Sequence, residues 1–283
     1  MKRRSAQQRR VVNGAVTGVS TGAAVLGIAA LAWILYAVIR RGAAAINWTF
    51  FTELPTPPGM AGGGLSNALM GTLYITGVAA ALGIPMGLLA GVYLSEFGQH
   101  SKLGSAVRFM SNVLMGVPSI IIGLFVYTII VLPSGHFSGW AGGVSLAIIM
   151  LPVVARTSED MLRLVPDSLR ESALALGAPR WRTTLGVVFR AAKAGLITGI
   201  VLAVARVSGE TAPLLFTALN SPYKVESLNE PTANLTVTIF NYAMSPYEDW
   251  QTLAWGASLV IMATVLLLTI LSRLALREKK TWS

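Results

Sequence analysis

Cysteine is absent from this chain of 283 residues. That removes disulfides, thiol nucleophiles and thiolate metal sites, and leaves the redox compartment open. Histidine occurs only at His100 and His136, too few for a metal centre built on imidazole. Charge is scarce as well: Asp, Glu, Lys and Arg make up 12% of the residues, where soluble domains carry about a quarter. No G-x-x-x-x-G-K-[ST] occurs, so the chain has no P-loop with which to bind a nucleotide. The net charge of +10 invites a nucleic-acid reading, but no basic run is interleaved with the aromatics that single-strand binders use.

What fills the sequence is apolar. Hydrophobic residues make up 54% and mean hydropathy is +0.64, the composition of an integral membrane protein. Six apolar runs, at 16–39, 67–93, 107–132, 140–155, 194–219 and 253–274, each predict a membrane-spanning helix, the fourth a short one. Irregular or open-sheet backbone cannot face lipid, so the expected fold is all-α and polytopic, with six transmembrane helices. The first run follows the basic "MKRRSAQQRR" and is too long for a cleaved signal; it reads as a retained anchor.

Lys and Arg set the orientation. With the N-terminus inside, eighteen of the 22 fall in inside segments. Arg40, Arg41 and Lys224 fall outside, the first two snorkelling to the outer headgroups, and Arg206 lies within an apolar run. The division is then a basic cytoplasmic N-terminus at 1–15, a first helix at 16–39 and an outside loop at 40–66. A core at 67–274 follows, with five helices and a cytoplasmic loop at 156–193, and then a cytoplasmic tail at 275–283. Both termini are expected on the inside.

Gly83, Gly87 and Gly91 recur every fourth residue and put a smooth face on the second helix, suited to close packing. Pro85 and Pro118 predict bends within the second and third helices. "NWT" at 47–49 and "NLT" at 234–236 match a glycosylation pattern that occurs often by chance.

The loop at 156–193 is too long for a plain connection. Ser168 and Glu171 form an S-x-x-E capping box, predicting a helix from about Leu169. Leu169, Ala173 and Leu176 share a face, Gly177 fits the C-terminal cap and Pro179 stops the helix. Taken alone, such a helix either docks on a partner or lies passively on the membrane surface. "ESALALG" at 171–177, with Val187 ten residues after Gly177, resembles the EAA loop of ABC importer permeases. Glu171, Ala173 and Gly177 match that pattern; Ser172 replaces an Ala, and Phe189 and Arg190 stand where Leu-Pro is expected. The resemblance implies that this helix couples the chain to a separate ATPase, which would hold the ATP and magnesium.

The run at 194–219 carries Arg206 and Glu210, four residues apart and on one face if helical, where they can pair. A central Arg costs roughly 2.5–3.5 kcal/mol on insertion scales, so a functional interior path is favoured over an idle pair. The guanidinium fork suits oxyanions. The glutamate can hold the arginine, release it when an anion arrives, or take a proton from a protonated oxyanion. With no other intramembrane acid, His or nucleophile nearby, a membrane-embedded enzyme is excluded as the leading reading.

"ARVSGETAPLLFTA" (205–218), "GGGLSNALMGTL" (62–73), "GVPSIIIGLFVY" (116–127) and "YAMSPYEDWQTLAW" (242–255) are similar to blocks of the A-type permease subunit of phosphate-specific ABC importers, in order over most of the chain after Gly59. That resemblance implies a phosphate path through Arg206 and Glu210, with Thr211 beside them. It also implies a second, C-type permease, two copies of an ATP-binding subunit and an extracytoplasmic phosphate-binding protein, in a bacterial inner membrane. The outside segment at 220–251, with Glu226, Glu230, Glu248 and Asp249 against Lys224, is a candidate receiving surface. A permease for sulfate or molybdate is the alternative; the EAA loop serves it equally, and the "SGETAPLLF" block argues against it.

Overall fold

The computed structural model describes residues 6–275; residues 1–5 of the expected N-terminal segment and 276–283 of the expected tail lie outside the described residues. Among the described residues every regular element is helical. In chain order these are α1 (Ala6–Gly42), a 3-10 turn (Ala43–Ala45), α2 (Trp48–Thr52) and α3 (Ser66–Val92), which continues into a π turn (Tyr93–Phe97). Then come α4 (Lys102–Gly116), α5 (Ser119–Val126), a π turn (Tyr127–Val131), α6 (Leu132–Ser134), α7 (Gly139–Arg163) and α8 (Asp167–Ala175). The chain ends with α9 (Arg180–Thr183), a π turn (Thr184–Val188), α10 (Phe189–Ser208), α11 (Ala212–Leu215), α12 (Leu235–Ala243) and α13 (Glu248–Ala275).

Among the described residues, five spans are long and apolar enough to cross a membrane: Val12–Ala45, Ser66–Phe97, Gly139–Arg163, Arg180–Ser208 and Glu248–Leu274. The sixth expected helix, at 107–132, is two helices bent by 102° between Gly116 and Ser119. Pro118 lacks the N–H that a continuing helix needs, and it pushes Val117 to extended backbone (φ −73°, ψ 129°). Pro85 leaves α3 unbroken.

The fourth and fifth runs need larger corrections. α7 is not a short span ending at Ala155; it continues to Arg163. α9, the π turn and α10 form one span that starts at Arg180 and ends at Ser208, not at Leu219. The loop expected at 156–193 shrinks accordingly to the stretch between Arg163 and Arg180, most of it α8. Charged residues hid these extensions, because hydropathy reads Arg156, Glu159, Arg180 and Arg190 as loop.

The most extensive packing contact is α3 on α7. The glycine stripe makes it: a Cβ at Gly83 would stand 3.1 Å from Met150 Cβ, at Gly87 2.7 Å from Val154 Cβ, and at Gly91 2.5 Å from Ser158 Cβ. The core grows around that seam, with Ile75, Leu146, Met150, Val154, Ala203, Val207 and Leu214 buried together. α1 is exposed along its apolar length and touches the bundle near its C-terminal end, where Gly42 meets Trp255 and Leu259 of α13. Arg41 lies 5.0 Å over the Trp255 ring, a cation–π contact in place of simple snorkelling.

Candidate functional site

α10 carries its cation at the last turn. Gly209 caps the helix and Pro213 follows, so the expected i, i+4 pairing of Arg206 with Glu210 does not form. Glu210 sits past the break; its N–H donates to Val207 O and its carbonyl accepts from Thr236 Oγ1 at 2.9 Å. Arg206 is exposed, while Glu210 and Thr211 are half-buried. None of the three side chains has an ion pair or hydrogen bond with any described residue. The signal was in the sequence: Gly followed by Pro marks a helix end.

Depth gives this break its meaning. Arg206 is thirteen residues after Lys193, the last of the basic stretch, or about 20 Å along the helix at ~1.5 Å per residue. If Lys193 stands at the edge of a hydrocarbon layer ~30 Å thick, that layer still surrounds Arg206. Non-helical backbone at that depth is tolerated only when it is buried in protein or lines a watery path. α11 is buried: Pro213 lies against Gly123 of α5, where a Cβ would stand 2.6 Å from Pro213 Cα. Within this stretch Val207 is buried in the core, Arg206 is exposed, and the half-buried Glu210 and Thr211 keep a free carboxylate and hydroxyl. The negative end of the α10 dipole partly offsets the cation.

The opposite end of the break is roofed by neutral polar groups. Asn234 caps α12 by accepting from Val237 N at 2.9 Å, and it donates to Leu219 O at 3.3 Å. Asn220 Oδ1 accepts from Ser221 N and, at 3.5 Å, from Thr238 Oγ1. A cavity of about 720 Å³ opens nearby, lined by Asn67, Asn220, Asn241, Tyr223, Tyr242 and Trp250 among others, with no charged side chain. Burial pushes the Tyr242 phenol up to about 12, so it stays neutral at ordinary pH. Arg206 is not among the residues that line this cavity.

The end that carries α8 holds the strongest electrostatics. Glu159 of α7 is fully buried and serves three arginines: Arg108 Nε at 2.7 Å, Arg163 Nη2 at 2.8 Å and Arg156 Nη1 at 3.2 Å. Arg108 also donates to Leu94 O and Gly98 O, which closes the end of α3 onto α4 and α7. Sequence reading missed this cluster, since "RTSEDMLR" looks like a solvated helical face.

α8 itself departs from expectation at its start. Pro166 occupies the N-cap and Asp167 the first turn, so the helix begins before Ser168, which makes no cap hydrogen bond. Proline's fixed φ already sets the entry, displacing the S-x-x-E box. The end matches expectation: Gly177 has φ +82°, with Gly177 N–H on Leu174 O and Ala178 N–H on Ala173 O, a Schellman closure. Glu171 is exposed and Ala173 is half-buried, and the apolar Leu169, Leu174, Leu176 and Trp181 are exposed around them.

Residues 83–278 match the family described as "Binding-protein-dependent transport system inner membrane component". The chain is 46% identical over 279 residues to "Phosphate transport system permease protein PstA" of Yersinia pestis, covering 99% of this chain and 95% of that one. The protein of the same name in Haemophilus influenzae is 46% identical over 272 residues, 96% of each chain. A "Probable phosphate transport system permease protein PstA" of Methanocaldococcus jannaschii is 35% identical over 89% of each. Among solved structures, an inward-facing MetNI methionine ABC transporter aligns with TM-score 0.65 at 21% identity, covering 75% of this chain and 94% of that chain. A bacterial alginate ABC transporter with its pentasaccharide-bound periplasmic protein aligns with TM-score 0.65 at 12% identity over 96% and 97%. These two likenesses establish the fold alone.

Proposed function

This chain belongs to the family of binding-protein-dependent transport system inner membrane components, and from that premise we propose that it is the permease subunit of an ATP-driven importer of inorganic phosphate. The near-full-length identity to phosphate transport permeases supports the substrate. The observation that carries the mechanism is the end of α10 at Gly209, which leaves the Arg206 guanidinium exposed and without a partner among the described residues. Arg206 meets the phosphate oxyanion with its donor fork. Glu210, free of the arginine, is available to take a proton from a protonated phosphate or to repel the anion onward. Thr211 offers a hydroxyl beside them. The face they share closes into a path against a second, C-type permease.

On this reading the α8 end is cytoplasmic, as are both termini, and the protein is a multi-pass component of a bacterial inner membrane. α8, with Glu171, Ala173 and Gly177, docks on one of two copies of an ATP-binding subunit. ATP and magnesium sit on that subunit, and this chain holds no cofactor. The acidic rim of Glu226, Glu230, Glu248 and Asp249 receives an extracytoplasmic phosphate-binding protein.

Radiolabelled phosphate uptake tests the reading in cells carrying Arg206→Gln in an otherwise intact system. Uptake should fall by at least about tenfold, the scale of one lost charge-assisted hydrogen bond, with membrane level and ATPase recovery unchanged. Unchanged uptake would sink the role of Arg206. Competition by sulfate or molybdate as strong as by phosphate would favour a general oxyanion permease.

A further inference from the structure

Arg170 immediately precedes Glu171 on α8, yet it points back into the bundle. Its side chain is only 17% exposed and that of its partner Glu96 only 11%. Arg170 Nη2 donates to Glu96 Oε1 at 3.0 Å and to Leu162 O at 2.8 Å. Nη1 donates to Val165 O and, at 3.2 Å, to Asp167 Oδ1. Ser95 Oγ donates to Glu96 Oε1 at 3.1 Å, which steadies the acceptor.

The partners come from two different long helices. Glu96 lies in the π turn that ends the α3 span, and Leu162 O belongs to the last turn of α7. Among the described residues, no other polar side chain of α8 reaches these two helix ends. Elsewhere α8 packs on α9 and the π turn before α10. α3 and α7 are already joined by the glycine seam and, through Arg108 and Glu159, to α4. A lysine would offer one compact ammonium; the planar guanidinium serves two carboxylates and two carbonyls in different directions at once.

We propose that Arg170 is a positioning residue that fastens α8 to the ends of α3 and α7, so that a displacement of α8 reaches both helices together. The outward face of α8 takes the push, and its one inward fork passes it on. This rests on the reading of α8 as the ATPase-docking helix.

The test uses the assembled importer in proteoliposomes, with phosphate uptake and ATP hydrolysis measured on the same preparation. The variants are Arg170→Gln, Glu96→Gln and both together. Phosphate moved per ATP should fall about tenfold in each single variant, as expected for a lost charge-assisted bond. The double variant should fall no further, because groups acting as one unit are not additive. Arg170→Lys should stay closer to Arg170→Gln than to wild type. Unchanged coupling in the single variants overturns the proposal, and so does a double loss equal to the product of the two. Full coupling in Arg170→Lys overturns the need for the fork. Release of the ATPase from both single variants would make Arg170 an assembly anchor only, and also overturns it. Wild-type vesicles without ATP-dependent phosphate uptake would instead overturn the parent reading.

Discussion

Two acidic residues one position apart in α7 have opposite fates. Asp160 is exposed and meets Arg156 at 3.7 Å, whereas Glu159 is fully buried between three arginines. Removing the anion from a buried cluster leaves cations facing one another, which costs about 3–5 kcal/mol where a buried pair loses one partner. Glu159→Gln should therefore lower the thermal midpoint of the purified protein sharply. Asp160→Asn should change stability by less than about 0.5 kcal/mol, as surface substitutions do. Nothing in the sequence separates these two residues, because burial here is created by Arg108, 51 residues away. Other single residues carry local roles. Asn47 and Asn234, whose match to a glycosylation pattern is of a kind that occurs often by chance, are helix caps, accepting from Phe50 N and Val237 N. Ser168 was expected to cap α8, but Pro166 holds the N-cap position and no side chain caps the helix.

At the scale of elements, the spacing of glycines carried more than hydropathy did. The every-fourth-residue stripe anticipated the face on which α3 meets α7, whereas the ends of α7 and of the α9–α10 span were hidden by charges that hydropathy assigns to loops. The contrast within α3 can be tested. A Cβ at Gly91 would press on Ser158 Cβ at 2.5 Å and Ala155 O at 2.8 Å, while Gly77 has open space around it. Gly91→Ala should destabilise by about 1–3 kcal/mol, the usual cost of overpacking a fixed seam. Gly77→Ala should stabilise by about 0.5–1 kcal/mol, as helix-interior glycines do when replaced. Thermal unfolding in one detergent reports both. The break of α10 follows local rules, Gly209 and then Pro213. An apolar run that continued to Leu219 concealed it.

For the whole molecule, the uneven distribution of Lys and Arg predicts which end faces inward, and the lack of cysteine makes that simple to check. Single-cysteine variants at Ser168 and Tyr223 sit at exposed positions at opposite ends of the bundle. An impermeant thiol reagent applied to intact cells should label Tyr223→Cys and spare Ser168→Cys; inverted vesicles should reverse the result. The all-helical, multi-span fold was legible from composition and periodicity, since both follow from the thickness of a bilayer. The candidate site was only half legible: the sequence marked Arg206 and Glu210 and, in Gly209 and Pro213, the helix end between them, but the apolar run to Leu219 hid that they stand apart. That separation has a consequence for biogenesis. If the proposed second permease covers Arg206, a copy of this chain without it exposes an unneutralised cation to lipid, at roughly 2.5–3.5 kcal/mol on insertion scales. Surplus copies would then be marked for removal by the same group that would carry the anion. In cells lacking the partner permease, pulse-chase labelling should find a shortened lifetime for this chain, and Arg206→Leu should lengthen it. The cell would keep its subunits in matched numbers by turnover, without having to synthesise them in equal amounts.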